Sequence, residues 1–278
     1  MTFLDMLGVA ERPNNFMLYV GLDPEPVRLP SKLKGDGSRI YGFCASIVDG
    51  VVDLMSAFKP PIGYLATHRA EGQLERLMTH MRRFAPPVPI ILDAKRGDIG
   101  STAGQYAIEA LDRNSADRVT LSPFVGNDSV APYPKYNGQG AFLLCRNSNR
   151  GGDDLKSQRL ASVDGQQLMY EHIACLAQGV LNLKGQLGLI VGATIPTEIE
   201  GVRALVPTLP QLIPGVGAQG GDAVATVKAR WRPDAPIIGN SSQAITHASQ
   251  DVDLAGAARH EALKTRDVLK AARAKRPR

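Results

Sequence analysis

The sequence is poor in the residues that mark specialised small folds. Its 278 residues include three cysteines and one tryptophan, and aromatic side chains make up only 5%. Cys44, Cys145 and Cys175 lie far apart, without CxxC or Cys/His spacing. That argues against a disulfide framework or a zinc module, and reads as buried thiols in a reducing compartment. No apolar run approaches the ~18 residues that span a bilayer, so no membrane partner is expected. The start, Met1 to Arg12, carries Asp5 and Glu11 and lacks the apolar segment of a secretory signal. The expected location is cytoplasmic. His68, His80, His172, His247 and His260 show neither HxH nor HExxH spacing, so they suggest no metal site.

A strong charge imbalance is also missing from the body of the chain. The formal net charge is +5, which invites a nucleic-acid reading. Residues 259–278, however, hold eight basic and two acidic side chains, so this end is +6 and the remainder −1. The basic end alternates charge with Ala, Leu and Val, as in a final amphipathic helix, and no nucleic-acid partner is expected.

What the chain does have is turns and short apolar runs. It holds 28 glycines and 19 prolines, well above the usual ~12% for the pair. Eight apolar runs recur, at residues 17–23, 53–59, 89–95, 118–123, 141–146, 188–193, 211–217 and 236–242. Buried parallel strands read as continuous runs of this kind. Between them lie helical spacings: Ile40 to Leu54, Leu74 to Met81, Ser101 to Leu111 with Ser/Thr capping chemistry at its start, 166–183 and 254–272. Strand–helix alternation eight times predicts an α/β fold, a single-domain (β/α)8 TIM barrel over residues 1–278, with an open doubly wound sheet as the competitor.

A barrel puts its active site at the C-terminal strand ends. Asp23, Lys59, Asp93, Lys95, Ser122, Arg146, Ser148, Thr194, Gly217, Gln219 and the segment Ser241 to Gln243 fall there. The sharpest segment is Leu92-Asp93-Ala94-Lys95-Arg96-Gly97-Asp98-Ile99-Gly100-Ser101-Thr102. Strand alternation turns Asp93 and Lys95 to one face. With Lys59 on the neighbouring strand and Asp98 on the following loop, a Lys–Asp–Lys–Asp array is expected, its opposite charges keeping one another ionised. Such a lysine suits proton donation better than Schiff-base chemistry, which needs a depressed pKa. The second segment, 214–222, contains GxGxxG at Gly215, Gly217 and Gly220. It follows the seventh run rather than the first, so a barrel phosphate loop accounts for it better than a dinucleotide site.

The block LDAKRGDIGSTA, preceded by Ala57-Phe58-Lys59-Pro60 and followed by IPGVGAQGGD, resembles the orotidine 5′-monophosphate decarboxylase family in its longer bacterial form. VGLDP (20–24), SPFVGNDS (122–129), CRNSN (145–149) and VGAT (191–194) fall in the same order. The resemblance implies conversion of orotidine 5′-monophosphate to UMP and CO2 without metal or organic cofactor. It implies Lys95 as proton donor to C6 and Asp93 against the substrate carboxylate. Asp98, with Ile99 and Thr102, would reach into the partner's site of a homodimer. Asp23 and Lys59 would bind the ribose and Ser148 the pyrimidine. Gln219 would bridge towards the phosphate, with Pro214, Gly217 and Gly220 in the phosphate loop.

Two other readings stay open on these residues. One is a magnesium-dependent sugar-phosphate decarboxylase or aldolase with the same D-x-K-x-x-D pattern; it calls for an acid at the second strand, where Lys59 stands. The other is a phosphate-ligand-binding barrel with weakened turnover. Its basis is Gln243, since the family reads N-S-S-R where this chain reads Asn240-Ser241-Ser242-Gln243. Pro61, Asn147, Arg150 and the Tyr64-Leu65-Ala66 run depart from the family in smaller ways. An Arg–phosphate contact contributes roughly 1.5–3 kcal/mol, so its loss weakens binding by ~10–150-fold unless Arg230 or Arg232 compensates. Gln243→Arg should therefore lower KM for the phosphorylated substrate; an unchanged or higher KM in steady-state assays would refute the assignment.

Overall fold

The computed structural model describes residues 3–12, 18–31, 33–161, 167–193, 196–215, 237–249 and 253–274. Eight parallel strands form one sheet: β1 Leu18–Gly21, β2 Ala57–Lys59, β3 Ile91–Arg96, β4 Arg118–Leu121, β5 Gly140–Arg146, β6 Leu187–Val191, β7 Gln211–Ile213 and β8 Ile237–Asn240. Each of the eight apolar runs supplies one strand. Their order is β2-β1-β8-β7-β6-β5-β4-β3. The two ends of that order meet through parallel bridges Phe58–Ile90 and Pro61–Asp93, which closes the (β/α)8 barrel and excludes the open sheet.

Alternation along each strand divides the apolar residues into two sets. Tyr19, Ala57, Ile91, Phe142, Ile190, Leu212 and Ile238 cluster inside the barrel. Leu18, Val20, Phe58, Leu92, Val119, Leu143, Leu189 and Ile213 pack outwards against the helices. Both faces of the sheet are thus dry, which is why the strands read as unbroken runs. Helices Ile40–Val51, Glu71–Phe84, Met169–Gln178 and Leu254–Ala274 match the helical spacings. The last buries Ala258, Ala262, Leu269 and Ala272 and ties to the helix before β2 through a paired Arg259–Asp53 contact. The basic end thus begins as a packed amphipathic helix.

The helix after β3, Gly100–Ala107, starts without a side-chain cap, with Ile99 at the N-cap. The Ser/Thr capping expected there is corrected: Ser101 and Thr102 lie two and three positions past the N-cap, inside the first turn. The helix continues as a π-helical turn over Ile108–Arg113. That turn presents Glu109 to the guanidinium of Arg96, with contacts of 2.9–3.1 Å, and so anchors the end of β3.

The short N-terminal helix Phe3–Glu11 closes the bottom of the barrel. Phe3 and Leu7 join the interior cluster, and the Phe3 ring meets Phe142 edge-on at 5.7 Å between centroids. The Arg118 guanidinium lies 4.4 Å over the same ring and donates to the carbonyls of Asp117 and Gly138. Burial pushes its pKa down to about 10, so the aromatic face and the two carbonyls hold a cation that water does not reach. Phe3→Ala removes the stopper and should cost about 3–5 kcal/mol of unfolding free energy, read as a lower urea midpoint. A change below about 1 kcal/mol would mean the helix is not part of the barrel's packing.

Candidate active site

The upper end of the barrel interior is polar where the lower end is apolar. Asp93 stands two residues above Ile91 on β3, and Lys59 two above Ala57 on β2, so both side chains face inwards. Lys59 Nζ lies 2.5 Å from Asp93 Oδ2, and Lys95 Nζ lies 2.6 Å from Asp93 Oδ1. The carboxylate is therefore held between two ammonium groups. They differ in access: the side chains of Lys59 and Asp93 are 8% and 9% exposed, that of Lys95 56%. Lys59 is enclosed beside the carboxylate, and Lys95 is open to a ligand.

The electrostatics follow. Burial would raise the Asp93 pKa, but the charges and hydrogen bonds of Lys59 and Lys95 outweigh it and hold the carboxyl well below the usual range. Burial would lower Lys59, and the carboxylates of Asp93 and Asp23 together more than offset that, leaving it raised.

Lys95 reaches its position through an irregularity. Its φ is +47°, a left-handed conformation that costs a non-glycine residue about 1–3 kcal/mol. The β3–β4 register shifts between Leu92 and Arg96, so simple alternation places Asp93 but not Lys95. The expected four-member array is also reduced to three. Among the described residues Asp98 pairs with neither lysine; its Oδ1 accepts from the Ile99 backbone N–H at 2.8 Å.

The charged triad lies at the edge of a cavity of about 400 Å³, a size suited to a small ligand. Asp23, Lys59, Asp93, Lys95, Ser148, Pro214 and Gln243 all line it, as the sequence suggests. Asp98, Ile99 and Thr102 do not; Ile99 is 60% exposed on the surface beyond it. Gly217, Gln219 and Gly220, with Thr194, Arg230 and Arg232, lie outside the described residues.

Two close approaches position the loops. A Cβ on Gly21 would fall 2.3 Å from Ser242 Oγ, and only a bare glycine lets that hydroxyl accept from the Gly21 N–H at 3.0 Å. This bond seats the segment that carries Gln243. A Cβ on Gly192 would fall 2.8 Å from the Ser148 backbone nitrogen, so β6 backs directly onto the Ser148 loop. That loop is further tied by Arg146, which pairs with Glu198 and Asp153. Lys156 donates to Asn147 Oδ1 at 2.6 Å, and burial pulls its own pKa down to about 8.

The sequence does not single out the rest of the lining as site residues: Tyr19, Thr120, Asn149 and the apolar Leu144, Ile190 and Leu212, with Pro61, Tyr64 and Asn147, which stand out only as departures from the family pattern. Alternation was the available signal. Tyr19 and Thr120 occupy inward positions of runs already read as strands. Thr120 donates to Asp93 Oδ1 at 2.9 Å. The Tyr19 hydroxyl is buried without a hydrogen-bond partner among the described residues, and burial, then the Asp93 and Asp23 charges, push its pKa up.

A closed barrel with a caged carboxylate and one open ammonium at its C-terminal mouth defines an enzyme of the barrel class, fitted to anionic substrates and proton transfer. Comparison with known proteins narrows the class. Residues 44–254 match the model of the orotidine 5′-phosphate decarboxylase / HUMPS family. The chain is 73% identical to the orotidine 5′-phosphate decarboxylase of Polaromonas naphthalenivorans, over 99% of this chain and 97% of that one. It is 67% identical to that of Variovorax paradoxus, over 98% and 100%. The structure of Leishmania donovani OMP decarboxylase superposes with a TM-score of 0.84 at 30% identity, over 99% and 100% of the two chains. The chain belongs to the orotidine 5′-phosphate decarboxylase family.

The caged carboxylate has a pH consequence. Its folded pKa is depressed, so it contributes stability that is present above the unfolded value of about 3.9 and lost as pH falls below it. The stability gap between wild type and Asp93→Asn should therefore be full above about pH 5, begin to shrink as pH falls through about 4, and go on shrinking below about pH 3 in thermal melts. A gap that stays constant would show that Asp93 is not stabilised as the anion.

Proposed function

We propose that this chain decarboxylates orotidine 5′-monophosphate to UMP, in pyrimidine biosynthesis, with Lys95 as the proton donor. The observation that carries the residue assignment is the open Lys95 ammonium held 2.6 Å from a buried carboxylate. Asp93 sits against the substrate carboxylate. The C6–carboxylate bond breaks, CO2 leaves, and the electron pair stays on C6. A fixed ammonium stabilises that charge as it develops and then supplies the proton that forms the C6–H bond. The neutral amine regains its proton from water.

The remaining assignments are of the same kind. Asp23 and Lys59 hold the ribose, Ser148 the pyrimidine, and Pro214 the edge of the phosphate loop with Gly217, Gln219 and Gly220. Gln243 faces the same cavity. Leu144, Ile190 and Leu212 supply an apolar wall that keeps water from the carbanion. Lys59 speaks against the magnesium-dependent reading, because its ammonium occupies the Asp93 oxygen that a cation would need. The reaction proposed here needs no metal or organic cofactor, so EDTA should leave turnover unchanged.

We further propose a homodimer with shared sites, in which Asp98, Ile99 and Thr102 complete the partner's cavity. Three features support it: these residues stand outside their own cavity, Ile99 is exposed, and the adjacent loop after β4 exposes Phe124 and Val125. That loop is held to β3 by Ser122 N–H donating to the Arg96 carbonyl at 2.7 Å. The cytoplasm fits a chain with three free cysteines and, among the described residues, no helix long and apolar enough to cross a membrane.

Lys95→Ala should lower kcat at least about 1,000-fold, followed as loss of pyrimidine absorbance; near-normal turnover would overturn the role of Lys95. Mixing inactive Lys95→Ala with inactive Asp98→Ala chains should restore about a quarter of wild-type activity by random pairing. No recovery despite demonstrated subunit exchange would refute the shared site.

A further inference from the structure

Thr120 sits on β4 with no exposed surface, facing the bulged end of β3. Its hydroxyl has one hydrogen to donate and two lone pairs to fill, and all three are used on the catalytic strand. The hydrogen goes to Asp93 Oδ1 at 2.9 Å. The lone pairs accept from the backbone N–H groups of Ala94 at 3.1 Å and Lys95 at 2.9 Å. One oxygen atom therefore touches three consecutive residues of the segment that carries both proposed reacting groups. It does so where the β3–β4 ladder is interrupted and neither N–H has a regular strand partner. It also fastens the residue whose φ of +47° would otherwise relax.

We propose that Thr120 is a positioning residue for the decarboxylation: its hydroxyl locks the β3 bulge, and so aims the Lys95 ammonium and the Asp93 carboxylate at the reacting carbon. This rests on the assignment of Lys95 as proton donor. The hydroxyl acts through Asp93 and the Lys95 backbone, so it governs kcat rather than ligand affinity. Removing it leaves two part-buried N–H groups without their acceptor, and such groups favour local rearrangement. Lys95 is then free to leave its left-handed conformation, and its Nζ no longer has a fixed approach to C6. Misplacement of a reacting group by about 1 Å lowers rate by up to ~100-fold.

The test compares Thr120→Val, which keeps shape and loses the hydroxyl, with Thr120→Ser, which keeps the hydroxyl. Steady-state kinetics, calorimetric binding of UMP and thermal melts are measured for both. Thr120→Val should lose about 10–100-fold in kcat and keep UMP affinity within about threefold. Thr120→Ser should keep kcat within about threefold. A pH profile adds a signature that a packing defect lacks. Asp93 is faced by Lys59 from β2, Lys95 from β3 and Tyr19 from β1, and Asp23 after β1 acts on Lys59 and Tyr19. Loss of the donated hydroxyl hydrogen raises the pH at which Asp93 protonates, so the acid limb of kcat should move up in Thr120→Val and stay in place in Thr120→Ser.

Wild-type kcat in folded Thr120→Val overturns the proposal. So does a loss in Thr120→Ser as large as in Thr120→Val, which would make the methyl group the important feature. If Thr120→Val does not fold, Thr120→Ala takes its place with the same expected fall in kcat and shift of the acid limb; wild-type kcat in it, or a loss above about tenfold in Thr120→Ser, refutes the proposal. Lys95→Ala run in parallel separates the two levels. Persistent turnover there removes the underlying mechanism, whereas an inactive Lys95→Ala beside a fully active Thr120→Val removes only the role of Thr120.

Discussion

The arrangement at the mouth of the barrel depends on keeping one carboxylate ionised where water scarcely reaches it. A lone buried anion would take up a proton instead. Asp93 avoids this because Lys59 meets one of its oxygens and Lys95 the other, with Thr120 donating to the same oxygen as Lys95. These donors come from three adjacent strands, so the site exists only when β2, β3 and β4 lie side by side. Barrel closure at β2–β3, through Pro61–Asp93 and Phe58–Ile90, is the step that brings Lys59 to Asp93. Fold and site are in this sense one construction.

The surrounding structure serves to immobilise β3. Below, Ile91 is packed into the dry interior that the Phe3–Glu11 helix stoppers. Beyond, Arg96 is gripped by Glu109 and covered by Tyr106 at 4.5 Å. The π-helical turn explains why Glu109 arrives there: the extra residue in its loop rotates the helix end relative to an α-helical continuation. The strand is clamped on both sides of Lys95, the proposed proton donor.

Strand positions were legible because both faces of this sheet are buried, which writes each strand as an apolar run ending in a polar side chain. The residues lining the cavity from strand ends, Asp23, Lys59, Asp93 and Lys95, were legible for the same reason. Thr120 and Tyr19 were not singled out, although both face inwards. A threonine or tyrosine in a strand is ordinary by composition, and only the three-dimensional partners of its hydroxyl make it special. The bulge at Lys95 and the π-turn are local departures from periodicity, and a pattern built on periods of 2.0 and 3.6 is blind to them. Asp98 belonged to the sequence motif but does not line this cavity, because motif spacing does not say which way a loop residue faces.

The left-handed backbone of Lys95 has an evolutionary side. Glycine would hold that conformation without strain, so at this backbone position lysine is a worse choice for folding than glycine. A backbone strain is thus accepted at a residue of the proposed site, which is a stability–activity trade-off in a single amino acid. Selection for heat tolerance alone would discard this lysine early, while selection for turnover keeps it. Thermostable relatives are therefore expected to gain their margin elsewhere in the barrel and to leave this one kink untouched.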